Sequence, residues 1–385
     1  MRLWSTGTPH GMATPTMGRL SSKPVLRESR AGVTALLTPE SANVFDSDLD
    51  GYEGAFYTFV PASAPPIPSV VGAPNLEYLS DDDVIQMHPD GLVQVLYRRN
   101  SLHNTLFATE RCNSYCLMCS QPPREVEDGF RVGDMLRLLD LISRETRELG
   151  ISGGEPTLLG QGLLDVVKKS KRVLPETALH ILSNARRFAD KEFARDFAEI
   201  AHPDLMLGIP LYSDIDRLHD YVVQATGAFD ETIRGLYHLA EGAVRIELRV
   251  VLHKQTVDRL PRLAEFIGRN LPFVEHVALM GLEMFGFAPK NLDTLWIDPA
   301  DYAQSLEQAT RRLVLSGVNV RIFNHQLCTI PATLWPFAVK SISDWKNVYL
   351  PPCDGCAVRA DCGGFFQSAT KRHSAHIRAV PSPAC

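Results

Sequence analysis

From residue 105 onward, short apolar runs alternate with amphipathic stretches that have the period of a helix. The runs predict strands near 105–111, 149–153, 178–183, 205–211, 244–252 and 275–282. The stretches between them predict helices near 132–148, 161–173, 189–200, 229–241 and 257–269, with another near 299–315. Strands that alternate with helices are typical of a parallel sheet. Six such units predict an α/β fold, a partial (β/α)6 TIM-type barrel whose chemistry collects at the C-terminal ends of the strands.

The flanking segments have other patterns. Residues 1 to about 75 are rich in Pro, Gly, Ser and Thr, which predicts loops and short strands. Alternating apolar positions on both sides of Asp90-Gly91 predict a β-hairpin. A last β-like run covers 318–324 and is followed by a cysteine-rich tail. We therefore expect an N-terminal β-rich extension (1–100), a barrel core (101–317) and a C-terminal auxiliary region (318–385).

Composition narrows the class of protein. The chain has 385 residues, 45% of them hydrophobic, and a formal charge of −6, which weighs against a nucleic acid as main partner. Neither a signal peptide nor a run as long as a membrane span is recognisable, which predicts a cytoplasmic protein. All eight cysteines lie at or after Cys112. In a reducing compartment, such a clustered set indicates metal ligands rather than disulfides.

The first predicted strand of the barrel leads into Cys112-x3-Cys116-x2-Cys119. Three thiolates on one loop can bind three irons of a cubane cluster, and the fourth iron is then left for a ligand that is not protein. Structural zinc is the alternative, although it usually draws on C-x2-C pairs and needs four ligands. The spacing therefore favours an iron-sulfur cluster.

Polar and glycine residues follow the next strands. Gly153-Gly154-Glu155 would let a ligand lie against the backbone, and the carboxylate suits an ammonium group, although a simple turn explains the triplet as well. Ser183 and Asn184 could bind ribose or carboxylate oxygens, or Ser183-Asn184 could cap a helix.

Some charged and histidine side chains in the predicted barrel strands and helices could have a structural role instead of a functional one. Arg249 lies among apolar neighbours and needs an anion, either a ligand carboxylate or a structural partner such as Glu247 or Asp204. Three histidines fall within strand or helix patterns and are expected to be core residues rather than bases: His180, His238 and His276.

Taken together, these segments resemble the radical S-adenosylmethionine (radical SAM) enzymes. Together with 209–214 and 341–347, they look like the C-type radical SAM maturase of His-Xaa-Ser repeat peptide systems, over about 75–366. The resemblance implies a [4Fe-4S] cluster that passes an electron to SAM and releases a 5′-deoxyadenosyl radical. It also implies a ribosomally made precursor peptide as substrate, a second maturase, and an electron donor such as flavodoxin or ferredoxin.

The resemblance assigns residues to both cofactors. It implies that Cys112, Cys116 and Cys119 bind the cluster. Met118 replaces an aromatic that is frequent in the family and could pack on adenine. Ser213 stands near a ribose-binding position, but Ser213-Asp214 departs from the family pattern in register and lacks its glycine. The SAM contacts expected in full are Met118, Gly153, Gly154, Glu155, Pro156, Ser183, Asn184, Ser213 and Arg249.

The tail thiols Cys353, Cys356 and Cys362 are similar to the C-x2-C-x5-C element of SPASM or twitch domains. The resemblance implies one auxiliary [4Fe-4S] cluster, with Cys328 as fourth ligand and Cys385 as the alternative. A structural zinc on the same thiols is a second interpretation. Two other functions stay open, namely a radical SAM enzyme acting on RNA or a small precursor, and a zinc-stabilised scaffold that binds a peptide.

Overall fold

A computed structural model describes residues 3–45, 48–74, 76, 78–340, 348–370 and 372–382. Their strands form two eight-stranded sheets. Residues 341–347 of the family resemblance, and Cys385 as the alternative tail ligand, lie outside the described residues. No described helix has the length and apolarity needed to span a bilayer.

The first sheet contains short strands and closes on itself. Its order is β1-β8-β7-β3-β4-β5-β6-β2, and Gly7 alone separates β1 from β2 at the two ends of that order. The Gly7 amide donates to the Gly91 carbonyl at 2.9 Å, and a Cβ on Gly7 would lie 2.5 Å from the Val71 carbonyl oxygen. The N-terminal segment 4–10 thus supplies the strands at both edges of this sheet. The strands are β1 Trp4–Thr6, β2 Thr8–His10, β3 Thr16–Ser21, β4 Val33–Leu37, β5 Gly54–Tyr57, β6 Ser69–Val71, β7 Val84–Met87 and β8 Leu92–Tyr97.

The second sheet is wholly parallel and open. Its strands follow chain order from β9 to β16, and the predicted α/β partial barrel is confirmed. It continues beyond the six predicted strands, because β15 and β16 add to the edge formed by β14. The strands are β9 Asn104–Phe107, β10 Glu148–Ser152, β11 Ala178–Leu182, β12 Leu205–Pro210, β13 Arg245–Leu252, β14 His276–Gly281, β15 Asn319–Phe323 and β16 Ala338–Val339.

Helices connect the parallel strands. Alternate strand residues such as Leu179 and Ile181 join the helices in one core, whereas the intervening residues face the lumen. The predicted helix over 132–148 is too long: α1 ends at Leu141. The sequence interpretation also missed α4. The helices are α1 Arg131–Leu141, α2 Gln161–Val173, α3 Lys191–Ala198, α4 Asp216–Val223, α5 Ala228–Glu241, α6 Leu260–Asn270, α7 Leu292–Leu295 and α8 Ala303–Leu315.

The predicted hairpin is confirmed and lies in the first sheet, where β7 and β8 pair antiparallel. The N-terminal sheet contacts the barrel at α1 and at the segment before β10. Arg137 on α1 donates to the Met17 carbonyl at 3.1 Å and to Glu53 at 2.9 Å. The Tyr97 hydroxyl of β8 bonds the Thr146 hydroxyl at 2.8 Å in a buried position. Polar contacts therefore join the N-terminal sheet to the lower part of the barrel.

Candidate functional site

A cavity of about 310 Å³ lies at the carboxyl ends of the parallel strands. The three thiols Cys112, Cys116 and Cys119 line it together with the glycines that follow β10. Parallel strands collect their following loops at one edge, which explains why segments distant in sequence meet there. Of the residues expected to contact SAM, those that line the cavity are Met118, Gly153, Gly154, Glu155, Ser183, Asn184 and Arg249.

The loop with the three thiols, residues 112–119, is braced from two sides. Its Tyr115 and Leu117 amides donate to the carbonyls of Val223 and Val222 at the end of α4, both at 3.0 Å. From the other side, the Phe287 amide donates to the Cys119 carbonyl at 2.8 Å. The positions of the thiols therefore depend on packing against α4 and against the segment that follows β14.

A buried carboxylate anchors the start of this loop. Asp128 accepts hydrogen bonds from the Thr109 hydroxyl at 3.0 Å and from the Glu110 amide at 2.7 Å. Burial acts to raise the pKa of Asp128, but these bonds and the nearby guanidinium groups of Arg111 and Arg131 lower it below its ordinary value. Asp128 is therefore charged at neutral pH and ties the loop to the segment that precedes α1.

Close backbone packing requires the two glycines after β10. The Gly154 amide donates to the Thr109 carbonyl at 2.7 Å, and the Glu155 amide donates to the Arg111 carbonyl at 2.8 Å. A Cβ would lie 2.5 Å from the Thr109 oxygen if placed on Gly153, and 2.0 Å from the Arg111 oxygen if placed on Gly154. The glycines thus let the end of β10 pair with the segment leading into the thiol loop, in addition to opening the backbone toward the cavity.

Glu155 is fully buried and connects β10 to β11. Its Oε1 accepts from the Thr157 amide at 3.0 Å, the Thr157 hydroxyl at 2.6 Å and the Ser183 hydroxyl at 2.7 Å. Its Oε2 accepts from the Asn184 amide at 2.7 Å. Burial raises the pKa of Glu155, and the four hydrogen bonds oppose that rise. The carboxylate therefore holds Ser183 and Asn184 at the cavity wall and keeps one Oε2 lone pair for a further donor.

The three thiols lie in surroundings that disfavour their ionisation. Burial raises the pKa of Cys112 to about 12, and the Glu155 carboxylate contributes in the same direction. Burial also raises the pKa of Cys116, followed by the neighbouring Cys119 and Cys112 sulfurs, and it raises the pKa of Cys119. A positively charged metal centre is the group that makes such thiols bind as thiolates. The donor set therefore fits an iron-sulfur cluster.

Throughout the part of the chain that the structure describes, no three or more His, Cys, Asp or Glu side chains are arranged to hold a single metal ion. A cubane differs from such a site because each thiolate binds a different iron. The described tail thiols likewise form no site for a single metal ion.

Comparison with known proteins agrees with this geometry. Residues 106–267, which include the thiol loop and β10 to β13, match the family model of the radical SAM superfamily. The match supports assigning this segment to the radical SAM superfamily. A Fe-coproporphyrin III synthase of Methanosarcina barkeri is 26% identical over 170 residues, 41% of this chain and 39% of that protein. A probable GTP 3′,8-cyclase of Methanopyrus kandleri is 28% identical over 187 residues, 47% of this chain and 56% of that protein.

The crystal structure of Streptococcus suis SuiB bound to S-adenosylmethionine has a TM-score of 0.46 and 17% identity, and the aligned part covers 58% of this chain and 50% of that one. This chain thus spans about half the length of the relatives it matches, or less.

Two residues expected to contact SAM do not line the large cavity, Pro156 and Ser213. Pro156 begins the short 3-10 helix Pro156–Leu159. Ser213 is fully buried, and its hydroxyl accepts from the Ile215 amide at 3.1 Å, just before α4. Two residues that the sequence interpretation missed do line it, Tyr212 and Arg186. Tyr212 lies two residues after Pro210, the last residue of β12, and this position near the strand end is the signal that could have found it.

Three of the tail thiols, Cys328, Cys353 and Cys362, lie near one another. Burial raises the pKa of Cys328, and the nearby Cys362 and Cys353 sulfurs act in the same direction. The Cys356 sulfur accepts from the Val380 amide at 3.3 Å. Residues 363–366, which follow Cys362, line a second cavity of about 50 Å³ that shares lining residues with the large one. The shared residues are Leu282 and Asn324.

Proposed function

We propose that this chain is a radical SAM enzyme that modifies a ribosomally made peptide of the His-Xaa-Ser type. The observation that carries the proposal is the meeting of three thiols with the Gly153–Glu155 segment in one cavity at the strand ends. The cluster would be held by Cys112, Cys116 and Cys119. A second maturase and a flavodoxin or ferredoxin as electron donor belong to the same proposal, as does a cytoplasmic location.

The chain's own residues bind and orient SAM in this proposal. The free Oε2 lone pair of Glu155 would accept the methionine ammonium group, and the guanidinium of Arg249 would receive the carboxylate. Ser183 and Asn184, which Glu155 holds in place, would bind oxygens of the nucleoside. When bound, the cluster would supply the electron that divides SAM into methionine and a 5′-deoxyadenosyl radical.

Apolar side chains around the thiols would keep water away from the radical. Met118 and Tyr212 belong to one buried cluster with Val222 and Val223 of α4, and Cys116 packs against it. Burial raises the pKa of Tyr212 well above its ordinary value, so its hydroxyl stays neutral at working pH. A dry wall of this kind protects a reactive intermediate from side reactions.

The peptide part of the proposal depends on the family resemblance and on the tail. Cys353, Cys356 and Cys362 have the spacing of auxiliary-cluster domains. The residues after Cys362 line a small cavity that shares Leu282 and Asn324 with the large one. An auxiliary cluster at this place would take an electron from the substrate radical or bind the peptide directly.

Glu155→Gln is expected to weaken SAM binding about tenfold and to destabilise the fold by about 2 kcal/mol. Glutamine has one acceptor oxygen where glutamate has two, so its amide group must face either the Asn184 amide or the donors on Oε1. Calorimetry with SAM and thermal unfolding measure the two effects. The matched control is Glu148→Gln at the other end of β10, which should change neither quantity. Unchanged SAM affinity in Glu155→Gln would exclude the ligand role.

Anaerobic incubation of the reconstituted protein with SAM, reductant and a His-Xaa-Ser peptide tests the whole proposal. Mass spectrometry should show 5′-deoxyadenosine together with a mass change in the peptide. Deoxyadenosine without peptide modification would favour a small-molecule substrate, the runner-up function, because the curated relatives are named for a coproporphyrin and for GTP. A protein that binds zinc alone and cleaves no SAM would instead be a scaffold.

A further inference from the structure

Beneath the SAM cavity, the lumen of the barrel contains a compact charged group. Glu247 and Arg249 project from β13 on the face opposite the core residues Leu248 and Val250. His180 of β11 and His276 of β14 lie on either side of Glu247. The side chain of Glu247 is only 9% exposed, and a carboxylate so deeply buried needs a partner.

Arg249 is that partner. Its Nη1 donates to Glu247 Oε1 at 2.8 Å, which is the one hydrogen bond that the described residues give to this guanidinium. The alternative partner considered from the sequence, Asp204, pairs with Arg245 instead. A guanidinium has five N–H donors in a fixed plane. Because Arg249 also lines the cavity, its remaining donors can reach a ligand there.

The second arginine that lines the cavity, Arg186, already hydrogen-bonds to groups of the protein. It donates to the Asn113 carbonyl, to the Ser114 hydroxyl at 3.2 Å and to Glu231 at 2.6 Å. Of the two arginines that line the described cavity, Arg249 is therefore the one suited to a ligand carboxylate.

Neither neighbouring histidine is close enough to Glu247 to replace Arg249 as its hydrogen-bond donor. His276 Nδ1 lies 3.7 Å from Glu247 Oε2, and His180 Nε2 lies 4.0 Å from Oε1. Burial lowers the pKa of both imidazoles, so they are neutral at pH 7. Gly208 of β12 makes room for this arrangement, because a Cβ there would lie 3.0 Å from both Arg249 Cδ and His180 Nε2.

We propose that Glu247 is a positioning residue that fixes the guanidinium of Arg249 to receive the methionine carboxylate of SAM. The inference rests on the proposed function, because it assumes that SAM occupies the cavity. Glu247 itself does not touch SAM. It acts by restricting Arg249 to one direction, so that less conformational freedom is lost when the carboxylate binds.

A double-mutant cycle on the anaerobically reconstituted holoenzyme tests the inference, with SAM and decarboxylated SAM as the two probes. Arg249→Met is expected to weaken SAM binding about 10- to 100-fold, and Glu247→Gln about tenfold. The double variant should match Arg249→Met alone, because Glu247 acts only through Arg249. Decarboxylated SAM should bind all four proteins equally. The matched control Arg245→Met, on the same strand, should bind SAM as the wild type does.

Gly208→Ala provides a second route should Glu247→Gln not fold. The added methyl group would lie 2.8 Å from Leu182 Cδ2 and 3.0 Å from Arg249 Cδ, so it shifts Arg249 without removing a charge. It should weaken binding of SAM more than binding of decarboxylated SAM. Wild-type affinity in Glu247→Gln, full additivity in the cycle, or equal losses for both probes would overturn the inference while leaving the proposed function intact. Failure of the wild-type holoenzyme to bind SAM would overturn the proposed function instead.

Discussion

Alanine in place of Cys112, Cys116 or Cys119, one at a time, is expected to lower SAM cleavage more than about 100-fold, beyond the usual loss from removing an outer-shell partner of a metal site. Each thiol would bind a different iron, and no other cysteine among the described residues lines the cavity. A cluster with only two protein ligands would be lost or displaced. Anaerobic formation of 5′-deoxyadenosine, with iron and sulfide analysis, measures the effect.

The matched control for these variants is Cys328→Ala. This thiol lies with the tail cysteines and does not line the large cavity. It should keep SAM cleavage close to that of the wild type. Deoxyadenosine production by a reconstituted variant that lacks all three loop thiols would refute the assignment of this loop to the cluster.

Joint replacement of Cys353, Cys356 and Cys362 by alanine is expected to stop peptide modification while SAM cleavage continues. The reason is their position: the chain after Cys362 lines the small cavity that borders the SAM cavity, whereas the thiol loop is braced by α4 and by Phe287. Removal of the tail thiols therefore leaves the loop's own contacts in place. Peptide mass and deoxyadenosine, measured in one reaction, separate the two effects.

Serine replacements at the same three positions are the control for folding, since Cys362 is buried and alanine changes its volume. They should reproduce the alanine phenotype if metal binding is the role of the thiols. Undiminished peptide modification by the alanine or the serine variant would show that these thiols are not needed for the reaction and would contradict an auxiliary cluster.

The barrel was predictable because its strands are apolar runs and its helices are amphipathic, and each pattern comes from local burial. The predicted helix over 132–148 was too long because the chain becomes extended at Ile142, directly after Leu141. A turn follows before β10, in which the Thr146 hydroxyl donates to the Ser143 carbonyl at 2.6 Å. In the N-terminal sheet the β7–β8 hairpin was predictable, but the closure of the sheet was not. Its strands are three to six residues long and pair across distant segments, so local pattern carries little of the information.

The sequence indicated most of the candidate residues that line the cavity, but not the residues that support them. The sequence indicates these residues because cysteine, glycine and glutamate follow predicted strands there. They are the thiols, Gly153-Gly154 and Glu155. Asp128 and α4 brace the thiol loop through tertiary contacts that no spacing in the sequence indicates. The sequence interpretation took His180 and His276 for ordinary core residues, and the structure places both beside Glu247.

The central claim is that the loop thiols hold a cubane whose remaining iron takes SAM. The most direct test is electron paramagnetic resonance of the reduced, reconstituted protein, recorded without and with SAM. In a variant whose tail thiols Cys353, Cys356 and Cys362 are replaced, the account predicts the signal of a reduced [4Fe-4S] cluster that changes when SAM is added. The signal should be absent when Cys116 is also replaced by alanine. A cluster signal that SAM leaves unchanged, or a protein that holds zinc and no iron, would contradict it.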